Sequence, residues 1–164
     1  MKHHEELLIK SVLDSWFNHI SRIDNLLDTL TDEELHMEVA PGRNRGTYLI
    51  GHLTAVHDRM LPLLGFEDHH HPHLDEIFIT SADKEKDMPP AAELRKYWKD
   101  VNDTLANHFK SQQPEEWLQR HTAVSEEDFA KEPHRNKMNV LVSRTTHLAY
   151  HFGQLIFLDH KRHD

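Results

Sequence analysis

Residues 136–160, NKMNVLVSRTTHLAYHFGQLIFLDH, carry the pattern that decides the fold. Apolar residues recur every three or four positions, which is the spacing that places side chains on one face of an α-helix. This face holds Val140, Arg144, His147, Leu148, His151, Phe152, Leu155 and Leu158. The pattern predicts a long amphipathic helix whose buried face includes two histidines.

Three further segments show the same periodicity. They cover residues 5–30, residues 44 or 47 to 64, and residues 89–109. Pro89 and Pro90 suit the first turn of the last of these helices, and Pro114 ends it. Four long amphipathic helices without an internal repeat or a linker predict an all-α protein, in which residues 1–164 form a single four-helix-bundle domain.

Shorter signals lie between these segments. Thr31 and Ser125 are each followed by three acidic residues, which is typical of an N-cap and the first turn of a short helix. The apolar run at residues 77–79 leaves one alternative open, an α+β domain with a β-hairpin at that position.

The composition excludes several classes of protein. The chain has no cysteine, which excludes disulfides, thiolate metal sites and a cysteine nucleophile. Acidic residues (28) outnumber Lys and Arg (19), and no basic stripe is interleaved with aromatic residues, so we expect no nucleic-acid partner. No apolar run reaches the length of a membrane span and the N-terminus lacks a signal core. We therefore expect a cytoplasmic protein with no membrane contact.

The chain has 17 histidines, and three of them indicate a metal site. His147 and His151 are four residues apart, so their rings lie one turn apart on the same face of a helix. His52 lies on the apolar face of the second predicted helix, which a bundle can bring close to the fourth. Three imidazoles with vacant coordination positions are typical of a catalytic divalent metal. The alternative is that these histidines only form hydrogen bonds within the core.

The other histidines are weaker candidates. His57 follows His52 by five residues, so it points away from that ring and is expected at the surface or in helix packing. His19 lies on the apolar face of the first helix, where a role beside the site or in the core is more natural than ligation. His69, His70, His71 and His73 form a rival metal site, although a solvated loop that binds metal adventitiously is expected there. Packing is expected for His108, and a surface position for Asp58 and Glu67.

The two histidine segments also carry a resemblance to a known family. Residues 143–155, SRTTHLAYHFGQL, resemble the H-x-x-x-H-x-G-Q signature of the DinB-like (YfiT-like) superfamily, and residues 51–55, GHLTA, resemble its second-helix histidine. The resemblance follows the helix order over nearly the whole chain. It implies an up-down-down-up bundle, often dimeric, with nickel or zinc on His52, His147 and His151. Characterised relatives include bacillithiol S-transferases and a mycothiol-dependent maleylpyruvate isomerase, and others are described as metal-dependent hydrolases.

A metal-dependent enzyme that activates a small-molecule thiol is therefore the expected function. Because the chain lacks cysteine, the thiol would be a separate cofactor or substrate such as bacillithiol. Arg144, one turn before His147, is a candidate contact for an anionic group of that molecule, and Gln154 is a second candidate contact.

Two other functions remain open. The same metal could activate a water for hydrolysis, although no H-E-x-x-H arrangement supplies a general base. The bundle could also be a non-catalytic metal-binding or structural protein. A homodimer is expected in either case, because Leu13 and Phe17 lie off the main apolar face of the first helix.

Overall fold

The computed structural model describes residues 2–163, and these residues are organised in helices. The α-helices are α1 Lys2–Thr29, α2 Asp32–Leu35, α3 Gly46–Asp58, α4 Met60–Leu63, α5 Leu74–Phe78, α6 Ala91–Ser111, α7 Glu126–Lys131 and α8 Lys137–Leu155. Short 3-10 helices cover Pro114–Leu118, Ile156–Leu158 and His160–His163. The alternative of a hairpin at residues 77–79 is wrong, because this run forms the end of α5 and its C-cap.

The four long helices α1, α3, α6 and α8 form the bundle, in which α1 packs on α8, α8 on α3, and α3 on α6. Near the start of α6, Arg95 donates a hydrogen bond to the carbonyl oxygen of Leu30, just past the end of α1 (2.8 Å). At the start of α3, a Cβ added to Gly46 would lie 2.5 Å from Leu158, which follows α8, and 2.6 Å from the carbonyl oxygen of Leu35. Helices α3 and α6 therefore both begin where α1 and α8 end, which is the predicted up-down-down-up topology.

The second predicted helix is interrupted. The sequence pattern predicts one helix up to residue 64, whereas α3 ends at Asp58 and α4 starts at Met60. Pro62 explains the break, because proline has no N–H for the carbonyl of residue 58 and its ring collides with that carbonyl.

The predicted helix starts are confirmed by their caps. Thr31 and Glu34 form a reciprocal capping box at α2, with hydrogen bonds of 2.8 and 3.1 Å. Ser125 accepts a hydrogen bond from the backbone N–H of Asp128 (3.1 Å), which caps α7. Asn136 caps α8 in the same way. These side chains satisfy backbone donors that have no partner within the helix.

His57 lies in the centre of the core and is fully buried. Its Nδ1 is 2.8 Å from Asn102 Oδ1, and its ring lies between Trp16 and Trp98, with centroid distances of 4.8 and 5.3 Å. Since the Asn102 amide oxygen only accepts hydrogen bonds, Nδ1 is the donor. Of the two positions expected for His57, helix packing is confirmed. Burial lowers the pKa of His57 to about 3, so the ring is neutral at pH 7.

Gly51 brings α5 into contact with α3. A Cβ at this position would lie 2.2 Å from Cε1 of Phe78, closer than any real side chain can approach. The Phe78 ring is fully buried against this gap. The absence of a side chain at Gly51 therefore allows the end of α5 to pack beside the next residue of α3, His52.

Candidate metal centre

Three imidazole rings converge between α3 and α8. His52 on α3 places its Nε2 3.2 Å from Nε2 of His147, and Nε2 of His151 lies 3.1 Å from the same atom. The four-residue spacing of His147 and His151 on α8 places both rings on the face that packs against α3. The three histidines predicted from the sequence are thus brought together, and this group could hold a metal ion.

The hydrogen bonds of two rings orient their free nitrogens towards the centre. Nδ1 of His52 is 2.7 Å from the carbonyl oxygen of Phe78, and Nδ1 of His151 is 2.7 Å from Oε1 of Gln154. Both partners are acceptors, so each Nδ1 carries a proton, and in the neutral form of each ring the lone pair is on Nε2. This is the arrangement by which proteins orient a metal-bound histidine through its other ring nitrogen.

The distances between the nitrogens fit a divalent ion. A tetrahedral zinc with Zn–N bonds of about 2.0–2.1 Å places two of its ligand nitrogens about 3.3 Å apart. The observed separations of 3.1 and 3.2 Å are close to this value. In addition, Nε2 of His52 and Nε2 of His151 both lie close to Nε2 of His147. The lone pairs of such close nitrogens repel one another unless a proton or a cation lies between them. Imidazole is also a good ligand for nickel, so the donor set fits both metals.

Burial keeps two of these ligands neutral. It lowers the pKa of His147 to about 4, with smaller contributions from the neighbouring rings. Burial also lowers the pKa of His151. Only the neutral imidazole has a lone pair for a metal, so both rings are ready to bind at pH 7.

The group is open to solvent on one side. All three rings are half-buried, and among the side chains described for residues 3–161 no fourth histidine or carboxylate lies within ligand distance of all three. A divalent ion prefers four or more ligands. An ion at this position would therefore keep at least one site for an exogenous molecule.

Arg144 lies one turn before His147 on α8 and carries an unpaired charge. Its Nε is buried without a hydrogen-bond partner, and no carboxylate within residues 2–163 forms an ion pair with its guanidinium. Burial lowers the pKa of Arg144, although the group remains charged at pH 7. A half-buried guanidinium without an anion is a natural contact for an anionic group of a ligand.

The orienting groups were only partly visible in the sequence. The sequence predicts Gln154 as a substrate contact. In the structure its Oε1 accepts a hydrogen bond from the ring of His151. A contact between Gln154 and a substrate stays a prediction. The carbonyl oxygen of Phe78 could not be found from sequence, because a backbone atom has no residue-type signal. His19 forms a hydrogen bond with Ser15 of its own helix (2.8 Å) and lies outside the metal-ligand group.

The loop histidines lie in a different place and are not simply solvated. His70 and His71 both contact Asp100 on α6, at 3.0 and 2.9 Å. The expectation that Asp58 lies at the surface is wrong, since only 1% of its surface is exposed. Its carboxylate accepts the backbone N–H groups of His70 and His71, both at 2.8 Å. Glu67 is exposed as expected and contacts His70 and His108.

Comparisons with known proteins agree with this geometry. A sequence model described as the DinB superfamily matches residues 18–155, a span that contains all three converging histidines. The crystal structure of a conserved protein from Enterococcus faecalis superposes with a TM-score of 0.62, covering 91% of this chain and 93% of that chain at 18% identity. At this identity the likeness shows the fold alone. A comparison with curated proteins finds no match.

Proposed function

Since the chain belongs to the DinB superfamily, we propose that it is a metal-dependent enzyme whose three-histidine centre activates a small-molecule thiol for S-transfer. The observation that carries the proposal is the convergence of three Nε2 atoms with an open side and an unpaired cation beside it. Nickel or zinc is the proposed metal, and bacillithiol or a related thiol is the proposed second cofactor.

The three histidines and the two groups that orient them have separate proposed roles. His52, His147 and His151 would hold the ion, and Phe78 and Gln154 would keep two of the rings in the correct tautomer. When bound, a divalent ion with a vacant position lowers the pKa of a thiol that reaches it, so that a nucleophilic thiolate is present at pH 7.

Arg144 would bind a carboxylate of the thiol and so place its sulfur at the open side of the centre. Bidentate contact between a guanidinium and a carboxylate fixes orientation as well as position. Because Arg144 would contact the carboxylate and not the reacting sulfur, we assign it a positioning role. The proposed preference is therefore for thiols that carry a carboxylate, even though the chain as a whole has a net charge of −9.

The two alternatives have less support. Hydrolysis by a metal-bound water usually needs a general base, and within residues 2–163 no Asp or Glu joins the three imidazoles. A purely structural ion is normally enclosed by four protein ligands, whereas this group has three and an open side. Both alternatives are outcomes of the following experiment.

Cobalt(II) substitution tests the proposal, because the spectrum of cobalt reports the type and number of its ligands. The cobalt-loaded protein should gain a sulfur-to-metal charge-transfer band when thiol is added, saturating at one thiol per centre, with release of one proton. The His147→Ala protein should show neither effect. An unchanged cobalt spectrum at millimolar thiol would refute thiol activation and favour hydrolysis or a structural ion.

A matched pair of thiols tests the role of Arg144. The protein should bind 3-mercaptopropionate at least about tenfold more tightly than the neutral 2-mercaptoethanol, which is the effect of one charge-assisted contact of about 1.4 kcal/mol. Arg144→Gln should lose this preference and keep the charge-transfer band. Equal affinities in the unsubstituted protein would show that Arg144 does not bind the carboxylate.

The oligomeric state is proposed on the basis of the family resemblance. The protein would be a homodimer, although Leu13 and Phe17 are partly buried against the core of the single chain. Tyr150 and Phe157, with 64% and 63% of their surface exposed, offer apolar area near the end of α8. Analytical ultracentrifugation at micromolar concentration would decide this point. A cytoplasmic location is also proposed. Among the helices described for residues 2–163, none combines the length and the apolar character that a membrane span requires.

A further inference from the structure

The loop between α4 and α5 holds two histidines in fixed positions. The buried carboxylate of Asp58 accepts the backbone N–H of His70 through one oxygen and that of His71 through the other. Hydrogen bonds to a buried carboxylate are among the stronger ones in proteins. The two rings therefore project from an anchored backbone, unlike the rings of a flexible histidine tag.

Helix α6 supplies a carboxylate to both rings. Oδ2 of Asp100 is 3.0 Å from Nδ1 of His70 and 2.9 Å from Nε2 of His71, and the three potential ligand atoms lie within 4.8 Å of one another. The ring of His71 packs on Tyr97, one turn before Asp100, with centroids 4.3 Å apart. Two imidazoles and a carboxylate thus meet at one point on the outer face of α6.

Glu67 orients the first of these rings. Its Oε2 is 3.2 Å from Nε2 of His70, on the side of the ring away from Asp100. Its Oε1 is 2.6 Å from Nε2 of His108, whose ring stacks on Phe66. A histidine that turns one nitrogen to a shared ligand point and the other to a carboxylate has the arrangement found in metal sites.

We propose that His70, His71 and Asp100 form a second divalent-metal site, selective for zinc-like ions, that fastens the loop to α6. Nδ1 of His70, Nε2 of His71 and Oδ2 of Asp100 would be the ligands, with water completing the coordination. Nitrogen and carboxylate donors together suit zinc, nickel and cobalt, whereas calcium and magnesium prefer oxygen donors alone.

The second site shares no residue with the centre formed by His52, His147 and His151. Its ligands come from the loop before α5 and from the middle of α6, while the first centre lies between α3 and α8. Asp100 was not a candidate in the sequence, because a lone acid on an exposed helical face carries no signal. The proposal therefore goes beyond the proposed enzymatic function and does not depend on it.

Calorimetric titration with zinc tests the second site in isolation. The double variant His147→Ala/His151→Ala removes two ligands of the first centre and should still bind one zinc ion. Adding Asp100→Asn to the double variant should weaken zinc binding at least about a hundredfold, since a directly bound ligand is lost. Adding Glu67→Gln instead should weaken zinc binding about ten- to a hundredfold, since Glu67 only orients His70. Asp103→Asn is the matched control, because Asp103 lies on the same exposed face of α6 and pairs with Lys99; it should leave zinc binding unchanged.

Two results would overturn the assignment. If the double variant binds no zinc, the loop and α6 do not form a site. If zinc binding persists at unchanged affinity after Asp100→Asn, the loop histidines bind metal without α6, and the proposed ligand set is wrong. Circular dichroism of each variant, checked for the helical spectrum of the parent, excludes unfolding as the cause of a loss.

Discussion

The buried ring of His57 predicts a specific loss of stability in acid. In an unfolded chain a histidine titrates near pH 6.5, whereas burial holds the pKa of His57 at about 3 in the folded protein. Below pH 6.5 the ring of His57 binds a proton in the unfolded chain but stays neutral in the folded protein. The contribution of His57 to stability is therefore fully present above pH 6.5 and is lost as the pH falls towards 3.

The size of the loss follows from the two pKa values. Each pH unit between them lowers the free energy of unfolding by about 1.4 kcal/mol, so lowering the pH from 7 to 5 should remove about 2 kcal/mol through this ring alone. His57→Gln is the matched variant, because its amide can still donate to Asn102 but has no charge to acquire. Any change in stability that the substitution causes equally at both pH values cancels, because only the difference between the two pH values is compared.

Urea unfolding at pH 7 and pH 5, in the presence of EDTA, measures this difference. The free energy of unfolding should fall by about 2 kcal/mol more in the unsubstituted protein than in His57→Gln. The chelator removes any contribution from bound metal, and the other histidines are the same in both proteins. An equal pH dependence in the two proteins would refute the reasoning, since His57 would then titrate alike in the folded and unfolded states.

Three substitutions test the residues that support the two proposed metal sites. Gly51→Ala should lower the free energy of unfolding by about 1–3 kcal/mol in thermal unfolding, because its Cβ collides with Phe78. The same substitution should weaken zinc binding to the bundle centre, which calorimetry measures. Gln154→Leu should weaken zinc binding by about ten- to a hundredfold in calorimetry, because His151 loses its orienting acceptor, while an unchanged affinity would exclude that role. Asp58→Asn should cost about 2 kcal/mol in urea unfolding, since two buried backbone donors lose a charged acceptor.

The long helices and the ligand group could be predicted because their signals are local. The spacing of His147 and His151 places them on one helical face whatever the rest of the chain does. His52 required one further assumption, that a bundle brings α3 against α8. The break near Pro62 also has a local signal, which the prediction of one continuous helix to residue 64 leaves out.

The remaining features depend on contacts between distant segments. Asp58 has the residue type of a surface position, and its burial follows from the path of the loop that places His70, twelve residues away, against it. Asp100 becomes a candidate metal ligand only because that loop packs on α6 and brings His70 and His71 to it. The carbonyl of Phe78 reaches His52 because Gly51 has no side chain, a relation between two elements that sequence periodicity does not contain.

The positions of the ligands along the chain make the bundle centre a cross-link. His52 and His147 are 95 residues apart, so an ion bound to both joins the second long helix to the last across most of the fold. An ion that binds only the folded chain stabilises it by about 1.4 kcal/mol for every tenfold rise in free metal above the dissociation constant. The rate at which proteases degrade the protein should therefore fall as metal becomes available, so that metal supply would set how much of the protein accumulates.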